Sequence, residues 1–139
     1  GISGSGKTTF AKGSWVNRLF SDEHTLVDYT GGSLRVHGVP FSGREMLVPS
    51  PGVADLGVLC FLEKARPGEP NQVKPIPPQQ VVAKLLRSLI CFDKSPETFV
   101  SNMDRIEHLA NRIPALQLRY SPEPGVDEAA LLQMVEMAA

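Results

Sequence analysis

The stretch Gly1–Phe10, GISGSGKTTF, decides how the rest of the chain is read. Gly1, Gly6, Lys7 and Thr8 fit the pattern G-x-x-x-x-G-K-[ST] of a phosphate-binding loop. Backbone N–H groups converge on phosphate oxygens only where no side chain blocks the approach, and Gly1, Gly4 and Gly6 supply that clearance. Ser3 and Ser5 fill the loop between the glycines. The helix that follows adds its unpaired N–H groups and the positive end of its dipole. In this pattern Lys7 extends a charge toward the outer phosphates and the Thr8 hydroxyl ligates Mg²⁺. Thr9 is either a second hydroxyl near the phosphates or simply part of the helix start. A chance match arises in roughly one chain of this length in a few hundred, and the helix-compatible TTFAK that follows adds weight. Such a loop normally joins a buried strand to a helix, and the sequence offers no residues before Gly1 to form that strand. The expectation is an N-terminally truncated fragment.

Length and composition set the bounds. The 139 residues suit one domain, 1–139, large enough to bury a core. Hydrophobic residues at 42% and charged residues at 21% describe an ordinary soluble globular chain. With 14 basic and 15 acidic residues and no long run of one sign, broad binding to nucleic acid or anionic membranes is not expected. No apolar run reaches bilayer-spanning length and no signal peptide is visible, so the expected location is cytoplasmic. Cys60 and Cys91, in GVLCFLE and SLICFDK, read as small core hydrophobes in a reducing compartment. No CxxC or His/Cys spacing accompanies them that would suggest a metal site.

Along the chain, a first helix is expected from Lys7 toward Gly13. TLVDY, a turn at Gly31 and Gly32, and SLRVHGV read as a β-hairpin. Its second arm puts Leu34, Val36 and Gly38 on one face, with Arg35 and His37 on the other. VPFSGREMLVPSPGVAD (39–55) reads as a long ordered loop. The continuous apolar run LGVLCFL predicts a strand over 56–62 buried on both faces. VKPI, inside a Pro/Gly-rich stretch, reads as an edge strand. Val81, Val82, Leu85, Leu86, Leu89 and Ile90 form the apolar face of one helix. A second helix starts at Ser95 as N-cap with Pro96 in its first turn, burying Phe99, Met103, Ile106 and Ala110. ALQLRY reads as a strand, and Asp127 caps a last helix through Leu131, Leu132 and Val135. The element order is mixed α and β, with hairpin strands near the nucleotide loop.

FSDEH (20–24) brings the next chemistry. Phosphoryl transfer needs a carboxylate near the phosphate loop, to hold Mg²⁺ or its water ligands, and sometimes a base for the acceptor. Asp22 and Glu23 are adjacent, so in an extended segment only one of them faces the phosphates. The plain alternative is a solvated acidic turn before the hairpin.

GISGSGKTT and SDEH together resemble the nucleotide site of phosphoenolpyruvate carboxykinases, with their G-x-S-G-x-G-K-T-T loop and D-D-E-H segment. The related HPr kinase/phosphorylase group carries an Asp-Asp pair in a similar place. Small kinase-like members of this superfamily are the nearer likeness. They combine an S-D-E-[RH] segment with a G-T-P-W-x-G-like loop, matched here by Gly38, Pro40, Phe41 and Gly43. The likeness in motifs covers about the first third of the chain. It implies an α/β domain of mixed α+β character: a P-loop nucleotide-binding domain with a mixed sheet flanked by helices, here lacking its first strand. It implies that Lys7 holds phosphate, Thr8 and Asp22 hold Mg²⁺, and Glu23 assists. Ser21 stands where the first Asp would be, and a hydroxyl cannot serve as a carboxylate base.

Arg44, just past GVPFSG, is either a γ-phosphate or anionic-substrate contact or a solvated loop residue. His37 and His108 read as surface residues, and Trp15 either stacks on an adenine or, as is commoner for a lone Trp after a helix, sits in the core. The expected activity is Mg²⁺- and ATP-dependent phosphotransfer to a hydroxyl on a protein or small molecule. Catalysis would come mainly from positioning and charge neutralisation. The alternatives are a nucleotide-binding regulatory module without transfer, or an incomplete fragment. Sheet edges left open by a missing strand would favour pairing between chains, hence a homo-oligomer.

Overall fold

ALQLRY, with its apolar residues at every second position, becomes the middle strand of the larger sheet. A computed structural model of the chain describes residues 6–13, 16, 18–21, 24–39, 50–121, 132–133 and 136–137. In chain order the elements are α1 (Lys7–Ala11), β1 (Leu26–Asp28), a 3-10 turn (Thr30–Gly32), β2 (Arg35–His37) and β3 (Val53–Asp55). Then come β4 (Leu59–Lys64), β5 (Gln72–Pro75), α2 (Pro78–Leu86), α3 (Pro96–Arg112) and β6 (Ala115–Tyr120). The architecture is mixed α+β, with one antiparallel and one mixed three-stranded sheet among the described residues.

In the mixed sheet the order is β4–β6–β5. β4 runs parallel to β6, from Leu59 opposite Ala115 to Lys64 opposite Tyr120, while β5 is antiparallel on the other side. Strand alternation sorts the side chains into two layers. On one face Leu59, Phe61 and Ala115 pack with Ile76, Val81, Val82 and Leu85 of the β5–α2 region and Ala110 of α3. On the other face Leu62, Val73, Leu118 and Tyr120 pack with Phe10 of α1. Helices therefore cover both faces of β6, and Leu116 and Leu118 are 0% exposed.

α3 is amphipathic and well started. Ser95 Oγ accepts from Thr98 N, Pro96 occupies the first turn, and Glu97 and Arg112 complement the helix dipole at either end. Asp93 tightens the start by accepting from the Ser95 N–H (2.9 Å) and the Thr98 hydroxyl (2.5 Å). The Thr98 hydroxyl and the two Ser95 donors hold its carboxyl below the ordinary carboxylate range.

The second sheet has the order β1–β2–β3, antiparallel throughout. The hairpin expected around Gly31 and Gly32 is present, with Val27 opposite Val36 and Asp28 opposite Arg35. Tyr29 ties this sheet to α3: its hydroxyl donates to the Arg105 carbonyl at 2.8 Å and its ring lies 6.0 Å from that of His108. Arg112 Nη1 completes the junction by donating to Gly32 O at 3.1 Å.

Several expectations are corrected. The segment 39–55 is not loop throughout, because Val53–Asp55 pairs with β2 as a third strand; three residues leave too short a pattern to read. β4 begins at Leu59, continues to Lys64, and is the outer strand of its sheet with Cys60 exposed. Cys91 is half-buried and receives Asn102 Nδ2 at 3.0 Å, so neither cysteine is a core residue. α2 stops at Leu86, so Leu89 and Ile90 fall beyond it and are exposed. Phe99 is 58% exposed, because the buried stripe of α3 passes through Ile106, Leu109 and Ala110 nearer its C-terminus. His37 is half-buried rather than free at the surface. Trp15, Asp127, Leu131 and Val135 lie outside the described residues; Leu132 is helical and exposed.

Candidate functional site

Gly6 ends the glycine-rich stretch as the N-cap of α1, at φ 89° and ψ 11°. That left-handed conformation is open to glycine at little cost, and it turns the chain directly into Lys7. The Phe10 N–H closes the first helical turn on Gly6 O at 2.9 Å. Lys7 and Thr8 follow as half-buried residues and Thr9 is exposed.

What anchors this turn is Phe10, whose ring meets Tyr120 edge-on with centroids 5.5 Å apart. Tyr120 is the last residue of β6, and Lys64, opposite it, is the last of β4. A β-carbon at Gly6 would lie 3.4 Å from Tyr120 Cε1 and 3.9 Å from Lys64 Cε and Cγ. The closing glycine thus sits at the carboxyl ends of two parallel strands, where open α/β sheets place their ligands. Burial pushes the Tyr120 phenol above its ordinary range, so it stays a neutral wall of the site.

Beside it, on the opposite face of the sheet, the charges are paired. Arg119 Nη2 meets Glu69 Oε2 at 2.7 Å, and its Nε lies 3.8 Å from Glu63 Oε1. Gln117 Nε2 donates to Glu63 Oε2 at 3.2 Å, and the Ser121 N–H donates to Asn71 Oδ1 at 3.0 Å.

The segment leading into SDEH is held against the other sheet. Leu19 O accepts from Ser50 N at 2.7 Å and Phe20 O from Val39 N at 3.3 Å. Arg18 donates to Pro51 O and lies over the Phe20 ring, 5.1 Å from its centroid. Residues 18–21 are thus clamped between the two ends of the loop that carries the GVPFSG motif. Gly38 makes this approach possible: a β-carbon there would meet Ser50 O at 2.5 Å. The Ser21 hydroxyl donates to the His24 carbonyl, spending its proton on a local turn, and His24 itself is exposed.

Gly1, Ser3, Gly4, Ser5, Asp22, Glu23 and Arg44 lie outside the described residues. Of the expected site, the structure describes Gly6 and Lys7–Thr9 at the mixed sheet, and Ser21 and His24 beside the antiparallel one. Among the described residues no group of three or more His, Cys, Asp or Glu forms a metal-holding cluster.

Sequence reading passed over Lys64 and Tyr120, although the charged pair that ends CFLEK was a visible sign of a strand end. It also passed over a polar knot in the hairpin. Asp28 accepts from the Thr30 N–H and hydroxyl, both at 2.8 Å, and from Arg35 Nη2 at 2.9 Å, with His37 Nε2 at 3.4 Å. The Thr30 N–H first, then its hydroxyl, with His37 and Arg35 behind, lower the Asp28 carboxyl from 3.8 to about 2. These contacts brace the hairpin, although the buried Arg35 Nε and His37 Nε2 have no hydrogen-bond partner among the described residues.

Among the described residues no helix is long and apolar enough to cross a membrane. No family model, curated protein or solved structure matches this chain.

Proposed function

We propose that the chain carries a nucleotide-phosphate site of P-loop type and acts as an Mg²⁺- and ATP-dependent phosphotransferase, of the kind found in the HPr kinase and carboxykinase-like superfamily. The observation that carries this reading is Gly6, left-handed, opening α1 against the carboxyl ends of β4 and β6. Backbone N–H groups of the glycine-rich loop and Lys7 hold the phosphates, and Thr8 with Asp22 holds the metal. Bound Mg²⁺ would neutralise charge that develops on the transferred group. The chain's own contribution is positioning: the loop fixes the donor phosphates, and Glu23 or Arg44 orients the acceptor.

The test is calorimetric titration with Mg·ATP and Mg·ADP. Micromolar binding is expected in the parent chain, and Lys7→Ala should weaken it by at least about tenfold. Asp22→Asn and Glu23→Gln should retain nucleotide and lose transfer. Absence of binding by the unaltered chain would overturn the reading.

A nucleotide-binding module without transfer is the second reading. The Ser21 hydroxyl favours it, because it is committed to His24 O where a two-acid site would hold a carboxylate. Transfer abolished by Glu23→Gln argues for the enzyme, whereas tight binding with no turnover toward any hydroxyl acceptor argues for the module.

A further inference from the structure

We infer that Lys64 is a second phosphate-contacting cation of the nucleotide site, approaching the loop from the sheet while Lys7 approaches from the helix. The inference rests on the nucleotide reading above and adds to it a residue that the motif does not contain.

Three observations carry it. The first is position: Lys64 Cγ and Cε both lie 3.9 Å from the β-carbon point of Gly6, so the stem runs along the closing glycine. Cε bears the ammonium, which puts the charge one bond from an atom beside the open side of Gly6. The second is orientation. Lys64 pairs in register with Tyr120, on the face that packs α1, whereas Glu63 points to the other face with Gln117 and Arg119. The acid next to Lys64 in sequence is therefore turned away and already engaged. The third is availability: among the described residues Lys64 is exposed, and no carboxylate lies within ion-pair distance of it.

A lysine stem beside a glycine, with its head in water, is a low-cost way to deliver a positive charge. The alkyl part covers apolar surface and the ammonium stays hydrated until an anion arrives. A polyphosphate lying in the loop would meet it there, as a point charge rather than a bidentate clamp.

The experiment titrates the whole chain with Mg·ATP, comparing the parent with Lys64→Met, Lys64→Gln, Lys64→Arg and Lys74→Met, the last removing a charge from mid-strand β5. Removing the Lys64 charge should weaken Mg·ATP binding about five- to tenfold, and less at high salt because the contact is solvent-screened. Lys64→Arg should stay within about twofold of the parent and Lys74→Met should bind unchanged. Unaltered affinity in both Lys64→Met and Lys64→Gln, or an equal loss in Lys74→Met, overturns the role of Lys64. The nucleotide reading survives that result if the parent binds and Lys7→Ala does not. A parent chain that fails to bind Mg·ATP overturns both.

Discussion

Among the described residues the two sheets have three strands each, yet different physics holds them. In the mixed sheet, strands of four to six residues bury apolar side chains on both faces, under α1 on one side and α2 and α3 on the other. Among the described residues the antiparallel sheet has three-residue strands, and the buried hydrophobic beside them is Leu34, just before β2. It depends instead on the Asp28 knot, the Tyr29 hydroxyl bond to α3, and close backbone approach at Gly38. Apolar burial tolerates small shifts, whereas short strands and directional bonds fail at single points. Gly6 and α1 pack on the mixed sheet, whereas residues 18–21 are held at the end of the antiparallel one.

This contrast can be broken most forcefully at Leu118. Leu118→Ala removes a fully buried side chain from the layer under α1 and should cost about 2–5 kcal/mol by denaturant unfolding. A loss below about 1 kcal/mol would mean the mixed sheet is not the stabilising half.

Gly38→Ala probes the other sheet where its backbones are closest. The added carbon would lie 2.5 Å from Ser50 O, so the β2–β3 end must open, at about 1–3 kcal/mol. Hydrogen exchange should accelerate in 26–37 and 53–55 and stay protected in 115–120. Uniform acceleration in both sheets would show that they unfold as one unit.

Tyr29→Phe deletes the hydroxyl bond to Arg105 O and should cost about 0.5–1.5 kcal/mol. On the proposed function, Mg·ATP affinity should be unchanged, because Gly6 and α1 pack on the mixed sheet.

The smallest effect belongs to Asp28. Its folded carboxyl titrates at about 2 against an ordinary 3.8, so the folded state favours the ionised form. Its stabilisation is therefore fully present above about pH 4 and is lost as pH falls toward 2. Thermal unfolding followed from pH 5 to pH 2 should show a shallower decline in Asp28→Asn than in the parent chain. Identical slopes would remove Asp28 from the account.

Much of this was legible residue by residue. Ser95 followed by Pro96 announced α3, because capping is a local hydrogen bond that needs no partner element. Two adjacent glycines between alternating arms announced the β1–β2 hairpin, and VKPI announced an edge strand because proline lacks the ladder donor. LGVLCFL, continuously apolar, was expected to be buried on both faces, yet among the described residues β4 is an outer strand with Cys60 exposed, while ALQLRY, which carries Gln117 and Arg119, is the middle one. Apolarity reports how much surface is covered, not by which strand. On β6, Gln117 bonds to Glu63 of the neighbouring strand and Arg119 pairs with Glu63 and Glu69, which lets a central strand carry them. The hairpin knot escaped notice because Asp28, Arg35 and His37 meet only once the register is set.

The sequence by itself determined the phosphate motif, the caps, the hairpin turn and the periods of α2 and α3, since each depends on neighbours within a few residues. The tertiary structure alone decided that Gly6 meets Tyr120 and Lys64, residues 58 or more positions away along the chain. It also divided the strands between two sheets and set Glu63 and Lys64 on opposite faces, Lys64 on the side of Gly6 and α1. These pairings follow from which apolar faces bury together, a competition among all the elements that no local pattern encodes.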